Sequence, residues 1–319
     1  MQLYEQLKTE CTAAGFPLFG ALDLNSVDLT PHHERYKKWM DQGHAGEMQY
    51  LVRGTERRGD PHLVFPEARS IVAVGSPYSA HRIGTQDPKE GIQYARYLRG
   101  ENYHTRIQTL LQGALEKVTS THPELKWKIC VDTSALMERT WGALAGLGWI
   151  GKNMMLIHPQ YGSYFLLGFA LLNQEVERGS TPLKDYCGSC SRCLTACPTQ
   201  AFTEERNLDS RKCISYWTLE KRGPLELSSS QVKAMGNWAA GCDICQEVCP
   251  FNQKSEKLAA KCPMTSDPEL PWRWNELQNE SLESYKKRTA HSALERVKPA
   301  DFMRNLSLIR PKTLQEFDK

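Results

Sequence analysis

Two cysteine-rich runs carry most of the chemistry that this sequence can support. The first, CGSCSRCLTACPTQ, has cysteines at 187, 190, 193 and 197, and a proline follows the last of them. The second, CDICQEVCP, has cysteines at 242, 245 and 249 and also ends in Cys-Pro. In bacterial iron–sulfur proteins with this spacing, three thiolates on one tight loop bind one cluster, and the fourth cysteine binds the other. The runs therefore predict two 4Fe-4S clusters.

The second run is one cysteine short of a complete set. With each Cys-Pro cysteine assigned to the opposite cluster, the first set of ligands is Cys187, Cys190, Cys193 and Cys249. The second set is Cys197, Cys242, Cys245 and one further cysteine. We favour Cys213, in RKCISYW between the runs, over Cys262, in KCPM beyond the second run. A zinc site is the alternative interpretation, but zinc prefers two separated pairs of ligands.

Composition predicts a globular protein in a reducing compartment. The 319 residues are 40% hydrophobic and 24% charged, and the formal net charge is +3, which permits a polyanionic partner without requiring one. We see no secretory signal and no apolar run long enough to span a membrane, so we expect a cytoplasmic location. Disulfides are rare there, which favours metal or redox roles for the eleven cysteines. Cys11 and Cys130, far from the runs, are expected to be ordinary buried side chains.

The N-terminal part must position whatever the clusters serve, and its pattern predicts a layered α/β domain. IVAV at 71–74, WKICV at 127–131 and YFLLGFALL at 164–172 predict buried strands, and the apolar residues of 101–118 fall at helical spacing. SALMERTWGALAGLG predicts a second helix. The fold class is therefore α/β or α+β. We expect an α/β domain over 1–175, a ferredoxin-like double-cluster domain over 176–255 and a polar helical tail over 256–319, with a basic surface near its end.

Two further motifs are near misses. GLGWIGKN at 146–153 satisfies G-x-G-x-x-G, but it follows a predicted helix instead of a strand, and Asn153 lacks the hydroxyl that a phosphate loop needs for magnesium. Its glycines are expected to let the chain turn tightly and pass close to a flat ligand. DPHLVF approaches the D-x-H-x-x-G pattern of histidine-ligated cobalamin, but Phe65 replaces the glycine, so His62 is expected to be a surface or capping residue.

Three segments together closely resemble the epoxyqueuosine reductase family. They are ARYLRGENYH at 95–104, VDTSALMERTWGALAGLGWIGKN at 131–153, and the double cysteine run with RKCISYW. The resemblance covers about residues 1–305, and the reductive dehalogenases are the nearest relatives in architecture. It implies base-off cobalamin held between the α/β domain and the cluster domain. It also implies the final step of queuosine biosynthesis, in which electrons pass through the clusters to cobalamin and the epoxide oxygen leaves as water.

The resemblance also implies roles for single residues. Asp132, between a predicted strand and a predicted helix, would be the proton donor, and an apolar macrocycle beside it would raise its pKa; a helix cap is the alternative. The implied cobalamin contacts are Asp132, Ser215, Gly241, Arg57, Tyr97, Arg139 and Asn153. For the last four, a structural salt bridge or a turn is the alternative. Lys221 and Arg222 would approach tRNA phosphates, unless they lie in a solvated loop.

Two other functions remain open at this point. A dehalogenase-like enzyme would bind a corrinoid but ignore tRNA, and a plain electron carrier would bind clusters and no corrinoid. Longer members of the family carry helical repeats beyond the position where this chain ends. We expect a monomer that meets a tRNA anticodon stem-loop and an unidentified low-potential electron donor, with no membrane partner.

Overall fold

A computed structural model describes residues 2–78, 91–98, 100–177, 179, 181–253 and 274–309. Its central feature is a four-stranded sheet of order β1-β2-β7-β4 in which all neighbours are antiparallel. The strands of this sheet are β1 (Leu18–Asp23), β2 (Ser70–Pro77), β4 (Trp127–Cys130) and β7 (Phe165–Leu172). Three two-stranded sheets are formed by β3 (Gln93–Tyr94) with β10 (Trp238–Ala240), β5 (Trp149–Ile150) with β6 (Leu156–Ile157), and β8 (Phe202–Glu204) with β9 (Asn207–Leu208).

Two hydrophobic cores cover the two faces of the main sheet. Alternate residues of a strand point to opposite faces, and β2 divides accordingly. Val72 and Val74 join one core, whereas Ile71 and Ala73 join the other. Because both faces are covered, every residue of β2 is buried, which explains the continuous apolar run that predicts it. The layered α/β class is confirmed.

Helices supply the outer layers of these cores. In the N-terminal half they are α1 (Leu3–Ala13), α2 (Thr30–Asp41), α3 (Gln49–Arg53), α4 (Thr55–Gly59), α5 (Tyr103–Thr119) and α6 (Glu138–Leu144). Beyond the main sheet they are α7 (Arg192–Ala196), α8 (Ser229–Met235), α9 (Ile244–Glu247), α10 (Trp274–Leu277), α11 (Leu282–Thr289) and α12 (Pro299–Leu308). Helix α5 buries the predicted apolar face and packs on α1. No helix in these ranges is long and apolar enough to cross a membrane.

Helix α6 is shorter than SALMERTWGALAGLG predicts. The chain enters it through an irregular segment at 132–137, where Asp132 has a φ of 52°. Gly146, with a φ of 80°, follows its end. The GLGWIGKN segment then forms the turn and first strand of the β5–β6 hairpin. It therefore lacks the strand–turn–helix context of a nucleotide loop, and its glycines allow a tight turn as expected.

The C-terminal segment is more deeply integrated than a solvated polar tail. Trp274, Tyr285 and Phe302 are buried in the same core as α1 and α5. The predicted basic surface is wrong for two of its arginines. Arg304 donates to backbone carbonyls of Trp217 and two other residues of 217–223, and Arg296 pairs with Glu220. These cations are directed inward because carbonyl oxygens and a carboxylate accept from them there. The domain boundaries at 175 and 255 remain predictions.

Candidate active site and cysteine clusters

Cysteines of the first predicted set are neighbours. Burial raises the pKa of Cys193 to about 11, and the charges of Cys187 and Cys249 raise it further. Cys249, just beyond α9, likewise has its pKa raised by burial first and then by Cys187 and Cys190. The indole N–H of Trp149 donates to the sulfur of Cys187 at 3.4 Å. The four thiols therefore lie within electrostatic range of one another.

The second predicted set also comes together. Burial raises the pKa of Cys242, and Cys213 and Cys197 add to the effect. The pKa of Cys245 is also raised, mainly by burial and then by the charges of Cys242 and Cys213. Burial raises the pKa of Cys213, and the backbone N–H groups of Tyr216 and Ser215 that bind its sulfur oppose that rise. Cys213 thus lies with this group, whereas its rival Cys262 is outside the described residues.

These donors suit iron–sulfur ligands. Thiolates bind such clusters, and hydrogen bonds to the sulfurs adjust their reduction potentials. Besides the bonds to Cys187 and Cys213, the backbone N–H of Ala201 donates to the sulfur of Cys197 at 3.4 Å. In the described ranges, no three His, Cys, Asp or Glu side chains converge closely enough to hold a single metal ion.

Asp132 lies at the centre of a group of titratable side chains. Its Oδ2 lies 3.0 Å from Nε2 of His104, which is near the start of α5. Its backbone N–H donates to Oε1 of Glu138, in the first turn of α6, at 2.6 Å. The Asp132 side chain is 44% exposed, so it remains accessible to a ligand. The two contacts hold Asp132 in its left-handed backbone conformation.

The pKa of Asp132 does not rise as expected from the sequence. Burial does oppose its ionisation, but the hydrogen bond from His104 and the positive charges of His104 and Arg296 outweigh burial. The pKa of this carboxyl group is therefore below its usual value. The expectation was wrong because His104 and Arg296 are brought to Asp132 from distant parts of the chain.

Glu138 is the carboxyl group in this cluster whose pKa rises. Burial raises its pKa to about 8, and the nearby charge of Asp132 adds to that effect. The backbone N–H of Asp132 and the charges of Arg139 and Arg58 act in the opposite direction but are weaker. Glu138 is therefore largely protonated near neutral pH, while Asp132 is ionised.

Three tyrosines lie within electrostatic range of Asp132. Partial burial raises the pKa of Tyr50 to about 12, and the charges of Glu220 and Asp132 contribute. Tyr97 and Tyr103 also feel the charge of Asp132, and their rings meet edge to face at 6.1 Å. The site thus combines apolar surface with titratable groups.

Arg58 adds a buried donor to this neighbourhood. Its guanidinium lies 5.8 Å from the centre of the Tyr36 ring. Its Nη1 is buried and has no hydrogen-bond partner in the described part of the chain. Its charge lowers the pKa of both Glu138 and Tyr50, so it lies near them. A buried, unpartnered donor is costly unless a ligand or water accepts from it.

The predicted cobalamin contacts fall into different surroundings. Arg57 is exposed on α4, and Tyr97 is half-buried near Asp132. Arg139 donates to the carbonyl of Met154 at 2.7 Å. Asn153 is buried and donates to the carbonyl of Cys245 at 3.1 Å, so it joins the glycine-rich hairpin to the second cysteine run.

Ser215 and Gly241 flank ligands of the second set. Ser215 provides the N–H at Cys213 described above. Gly241 precedes Cys242, has a φ of 69°, and donates its N–H to the hydroxyl of Thr218 at 2.9 Å. Both residues therefore help to shape the loops that carry cysteines.

Lys221 and Arg222 already have partners. Lys221 pairs with Glu47, and Arg222 pairs with Asp301 at 3.3 Å. Arg222 also donates to the carbonyl of Arg296 at 3.1 Å. To bind phosphate, each side chain would have to exchange or share these partners, and their tRNA contacts stay predictions.

Residues expected to have no chemical role lie where such residues should. Cys11 and Cys130 are almost fully buried in the two cores. His62 is exposed and lies 2.9 Å from the carboxylate of Asp60, which caps the turn at Pro61–Leu63. The expectations for these three residues are confirmed.

Sequence reasoning missed His104, Glu138, Arg58 and Arg296. His104 and Glu138 lie inside segments that carry the family resemblance. Their position in these segments could have marked them as site residues, although it assigned them no role. Arg296 lies in the C-terminal segment and carried no signal, because its proximity to Asp132 exists only in the folded chain.

Two family models match separate parts of the chain. The model described as "4Fe-4S double cluster binding domain" matches residues 186–252, which include all seven cysteines of the two runs together with Cys213. The model described as "Epoxyqueuosine reductase QueG, DUF1730" matches residues 58–133, which include Arg58, His104 and Asp132.

Similar proteins extend these matches to nearly the whole chain. The epoxyqueuosine reductase of Prochlorococcus marinus (strain NATL2A) is 36% identical over 321 residues, covering 98% of this chain and 99% of the relative. A crystal structure of epoxyqueuosine reductase with a tRNA-Tyr epoxyqueuosine-modified tRNA stem loop matches with a TM-score of 0.83 and 29% identity, over 96% of this chain and 80% of that one. A Bacillus subtilis epoxyqueuosine reductase, with its catalytic aspartate loop swung out of the active site, matches with a TM-score of 0.84 and 28% identity over the same shares.

Proposed function

Because the chain belongs to the epoxyqueuosine reductase family, we propose that it reduces epoxyqueuosine to queuosine at the wobble position of a tRNA anticodon. It is an oxidoreductase with a double 4Fe-4S domain. A tRNA substrate is supported by the relative of the same fold that carries an epoxyqueuosine-modified stem loop. The observation that carries the proposal is Asp132, hydrogen-bonded to His104 inside the segment that matches the family.

We assign the cluster ligands from the two groups of neighbouring thiols. The first cluster takes Cys187, Cys190, Cys193 and Cys249. The second takes Cys197, Cys213, Cys242 and Cys245. The support for these sets is the electrostatic proximity of their thiols and the N–H groups directed at Cys213.

We further propose that cobalamin binds beside Asp132. The surroundings fit a flat, largely apolar macrocycle with polar amide groups at its edge. Tyr50, Tyr97 and Tyr103 offer aromatic surface, and Nη1 of Arg58 is a buried donor that needs an acceptor. When bound, cobalamin would supply the reducing electrons, and the clusters would be the source that replaces them.

In this proposal Asp132 is the proton donor. Removal of an epoxide oxygen as water, leaving an alkene, consumes two electrons and two protons. Asp132 is 44% exposed and lies close enough to Tyr97 and Tyr103 for its charge to act on them, at a site where a bound nucleoside would exclude water. Asp132 is ionised at rest, so it must first accept a proton before it can donate one to the epoxide oxygen. The hydrogen bond with His104 gives that proton a path.

Lys221 and Arg222 would bind tRNA phosphates, which would replace Glu47 and Asp301 as the partners of these two side chains.

The test is an anaerobic conversion assay. The protein, reconstituted with iron, sulfide and cobalamin and supplied with a low-potential reductant, is incubated with an epoxyqueuosine-containing anticodon stem-loop. Nucleosides are then read by mass spectrometry. We expect the wild type to remove one oxygen atom and Asp132→Ala to lose at least about 100-fold in rate, as general acids contribute that much. Asp41→Ala, which removes an exposed carboxylate at the end of α2, should convert at the wild-type rate.

Three outcomes separate the alternatives. Corrinoid binding without any change in the nucleoside would contradict the tRNA function and favour an organohalide substrate. Clusters without corrinoid binding would leave only an electron carrier. Full activity of Asp132→Ala would refute the assignment of the proton donor while leaving the reaction intact.

A further inference from the structure

A chain of three side chains leads from the start of α5 to the proposed proton donor. Asn102 caps the helix, and its Oδ1 accepts the backbone N–H of His104 at 3.1 Å. The same Oδ1 lies 2.8 Å from Nδ1 of the His104 ring. At the other side of that ring, Nε2 lies 3.0 Å from Oδ2 of Asp132.

This geometry fixes where the protons are. The backbone N–H can only donate, so the atom of Asn102 that faces it is the amide oxygen, which is only an acceptor. Nδ1 of His104 must therefore carry a proton and donate it to Asn102. Nε2 then faces a carboxylate oxygen, and a bond between these two atoms requires one more proton. That proton resides either on Nε2, beside ionised Asp132, or on Asp132, beside a neutral ring.

Resting on the proposed function, we infer that His104 and Asp132 share one transferable proton for the reduction, and that Asn102 keeps it there by fixing the tautomer of the ring. His104 is then a positioning and proton-supplying residue that acts through Asp132. Because His104 is partly exposed, with 23% of its side chain accessible, it can be reprotonated from solvent after each transfer.

The surroundings support a stored proton. Tyr103 stacks on the His104 ring with centroids 4.0 Å apart, which holds the ring plane. Burial opposes the ionisation of Asp132, but the hydrogen bond from His104 and the positive charges of His104 and Arg296 outweigh it and lower the pKa of Asp132. Glu138, the other carboxyl group at this site, contacts the backbone of Asp132 and leaves Oδ2 to His104.

The reaction consumes two protons, which explains why Asp132 benefits from His104 as a partner that can be reprotonated. The first proton passes from the pair to the epoxide oxygen as a carbon–oxygen bond breaks and an O–H bond forms. The pair takes a second proton from solvent through His104 and delivers it as the hydroxyl group leaves as water. The two electrons come from the reduced cofactors of the proposed function, so the alkene and one water balance two electrons and two protons.

The first test counts protons without any turnover. The full chain, with oxidised clusters and without cobalamin, is labelled with ¹⁵N-histidine, and the His104 signals are identified by their loss in His104→Gln. Near neutral pH we expect either two protonated ring nitrogens, or one protonated nitrogen with a protonated Asp132 carboxyl group in the ¹³C spectrum. Asp132→Asn should leave a proton on Nδ1 alone, and Asn102→Asp should keep the wild-type pattern. A neutral ring beside ionised Asp132 in the wild type would overturn the inference.

The second test asks whether the stored proton is used. His104→Gln keeps an N–H that can donate to Asp132 but holds no transferable proton, so kcat should fall about 100-fold with KM unchanged. The alkaline limb of the pH profile of kcat should also move to lower pH in this variant. Asp132 alone must then hold the proton, in surroundings that also contain Tyr103, Glu138 and Arg296. His122→Gln, a half-buried histidine bonded to Gln6, is the matched control.

The outcomes distinguish this inference from the proposed function. If His104→Gln turns over like the wild type with the same pH profile, His104 serves only the fold and the inference is wrong. If the wild type converts no epoxyqueuosine although the pair holds its proton, the proposed function fails while the pair still stands as a proton store.

Discussion

Asp132 combines a strained backbone with two directed contacts. A left-handed φ in a residue other than glycine costs about 1–3 kcal/mol and persists only where the surroundings enforce it. Here Glu138 binds the backbone N–H and His104 binds the carboxyl group.

Glu138 should make the stability of the protein depend on pH. Its pKa in the folded chain is about 8, compared with 4.5 as the usual value, so the native state keeps a proton that the unfolded chain loses. The contribution of Glu138 to the free energy of unfolding is complete below the usual carboxyl pKa. It decreases as pH rises towards 8 and levels off above that. Glu138→Gln keeps an oxygen for the Asp132 N–H but cannot ionise. The thermal midpoint of the wild type relative to this variant should therefore fall between about pH 4.5 and pH 8 and stay level above that.

The control for this prediction is Glu34→Gln, on the exposed face of α2. Its midpoint should follow that of the wild type across the same range, measured anaerobically at one scan rate. Parallel curves for Glu138→Gln and the wild type would show that Glu138 is ionised in the folded chain at neutral pH.

At the residue scale, the sequence identifies ligands better than it identifies their partners. The cysteines carry their signal in local spacing, because one tight loop must present several thiols. The acid Asp132 came from resemblance, and the direction of its pKa was predicted wrongly because His104 and Arg296 reach it from 28 and 164 positions away. Such long-range neighbours leave no local pattern in one sequence.

Among the elements, the loop before Cys242 has the least room for change. A methyl group on Gly241 would lie 2.4 Å from the Cβ of Ala95. Ala95 cannot withdraw easily, because its N–H is bonded to the carbonyl of Ala240 at 2.9 Å. We expect Gly241→Ala to lose roughly 2–5 kcal/mol of the free energy of unfolding, from left-handed strain together with overpacking. Iron content per chain should fall as well, since the loop carries proposed ligands of the second cluster.

Gly223→Ala separates the two causes. Gly223 has a φ of 68°, close to that of Gly241, but no atom lies within 4 Å of the position of an added methyl group. Gly223→Ala should lower the free energy of unfolding by only about 1–2 kcal/mol, which is the cost of left-handed strain alone, and should leave the iron content unchanged. Anaerobic thermal midpoints and iron analysis of both variants check this; equal losses would mean that contact with Ala95 is unimportant.

The elements that the sequence predicts well are those with strong local periodicity. Strand β2 is continuously apolar because both its faces are covered, and α5 has a regular apolar face. Strand β1, LFGALD, was missed because it is short and contains a glycine, and it is stabilised by pairing with β2 along its whole length. Helix α6 was predicted too long because its sequence is helical in composition, whereas Asp132 and Gly146 impose turns at either side.

At the scale of the whole molecule, one core joins the regions that the sequence separates. The C-terminal helices contribute side chains to the same core as α1 and α5, and Asn305 on α12 donates to the carbonyls of Thr218 and Ala239. The sequence of this segment is polar because its helices expose one face, which is why composition suggested a solvated tail. Through Arg296, the same segment also reaches the surroundings of Asp132.

Arg96 makes a buried polar connection between the N-terminal part and the second cysteine run. Its guanidinium lies 3.4 Å from Asp243 and 3.0 Å from Glu247, and its Nη1 donates to the hydroxyl of Tyr164 at 2.7 Å. Only 6% of the Arg96 side chain and 1% of Asp243 are exposed. Removing one member of a buried ion pair typically costs about 3–5 kcal/mol, because the remaining charge stays buried. We expect Arg96→Met to lose about that much stability and to bind less iron, since both carboxylates lie between proposed cluster ligands.

Two comparisons show whether charge burial is the cause. Arg69→Met removes a pair with Glu175 in which both side chains are more than 60% exposed, so its loss should stay below about 1 kcal/mol. Adding Asp243→Asn and Glu247→Gln to Arg96→Met removes the buried charges and should restore part of the lost stability, as judged by anaerobic thermal midpoints. If the triple variant is no more stable than Arg96→Met, then packing and the bond to Tyr164, and not the charges, make Arg96 important. In that case side-chain packing holds the cluster domain against the sheet. Substitutions of Tyr164 that disturb this packing should then lower the iron content.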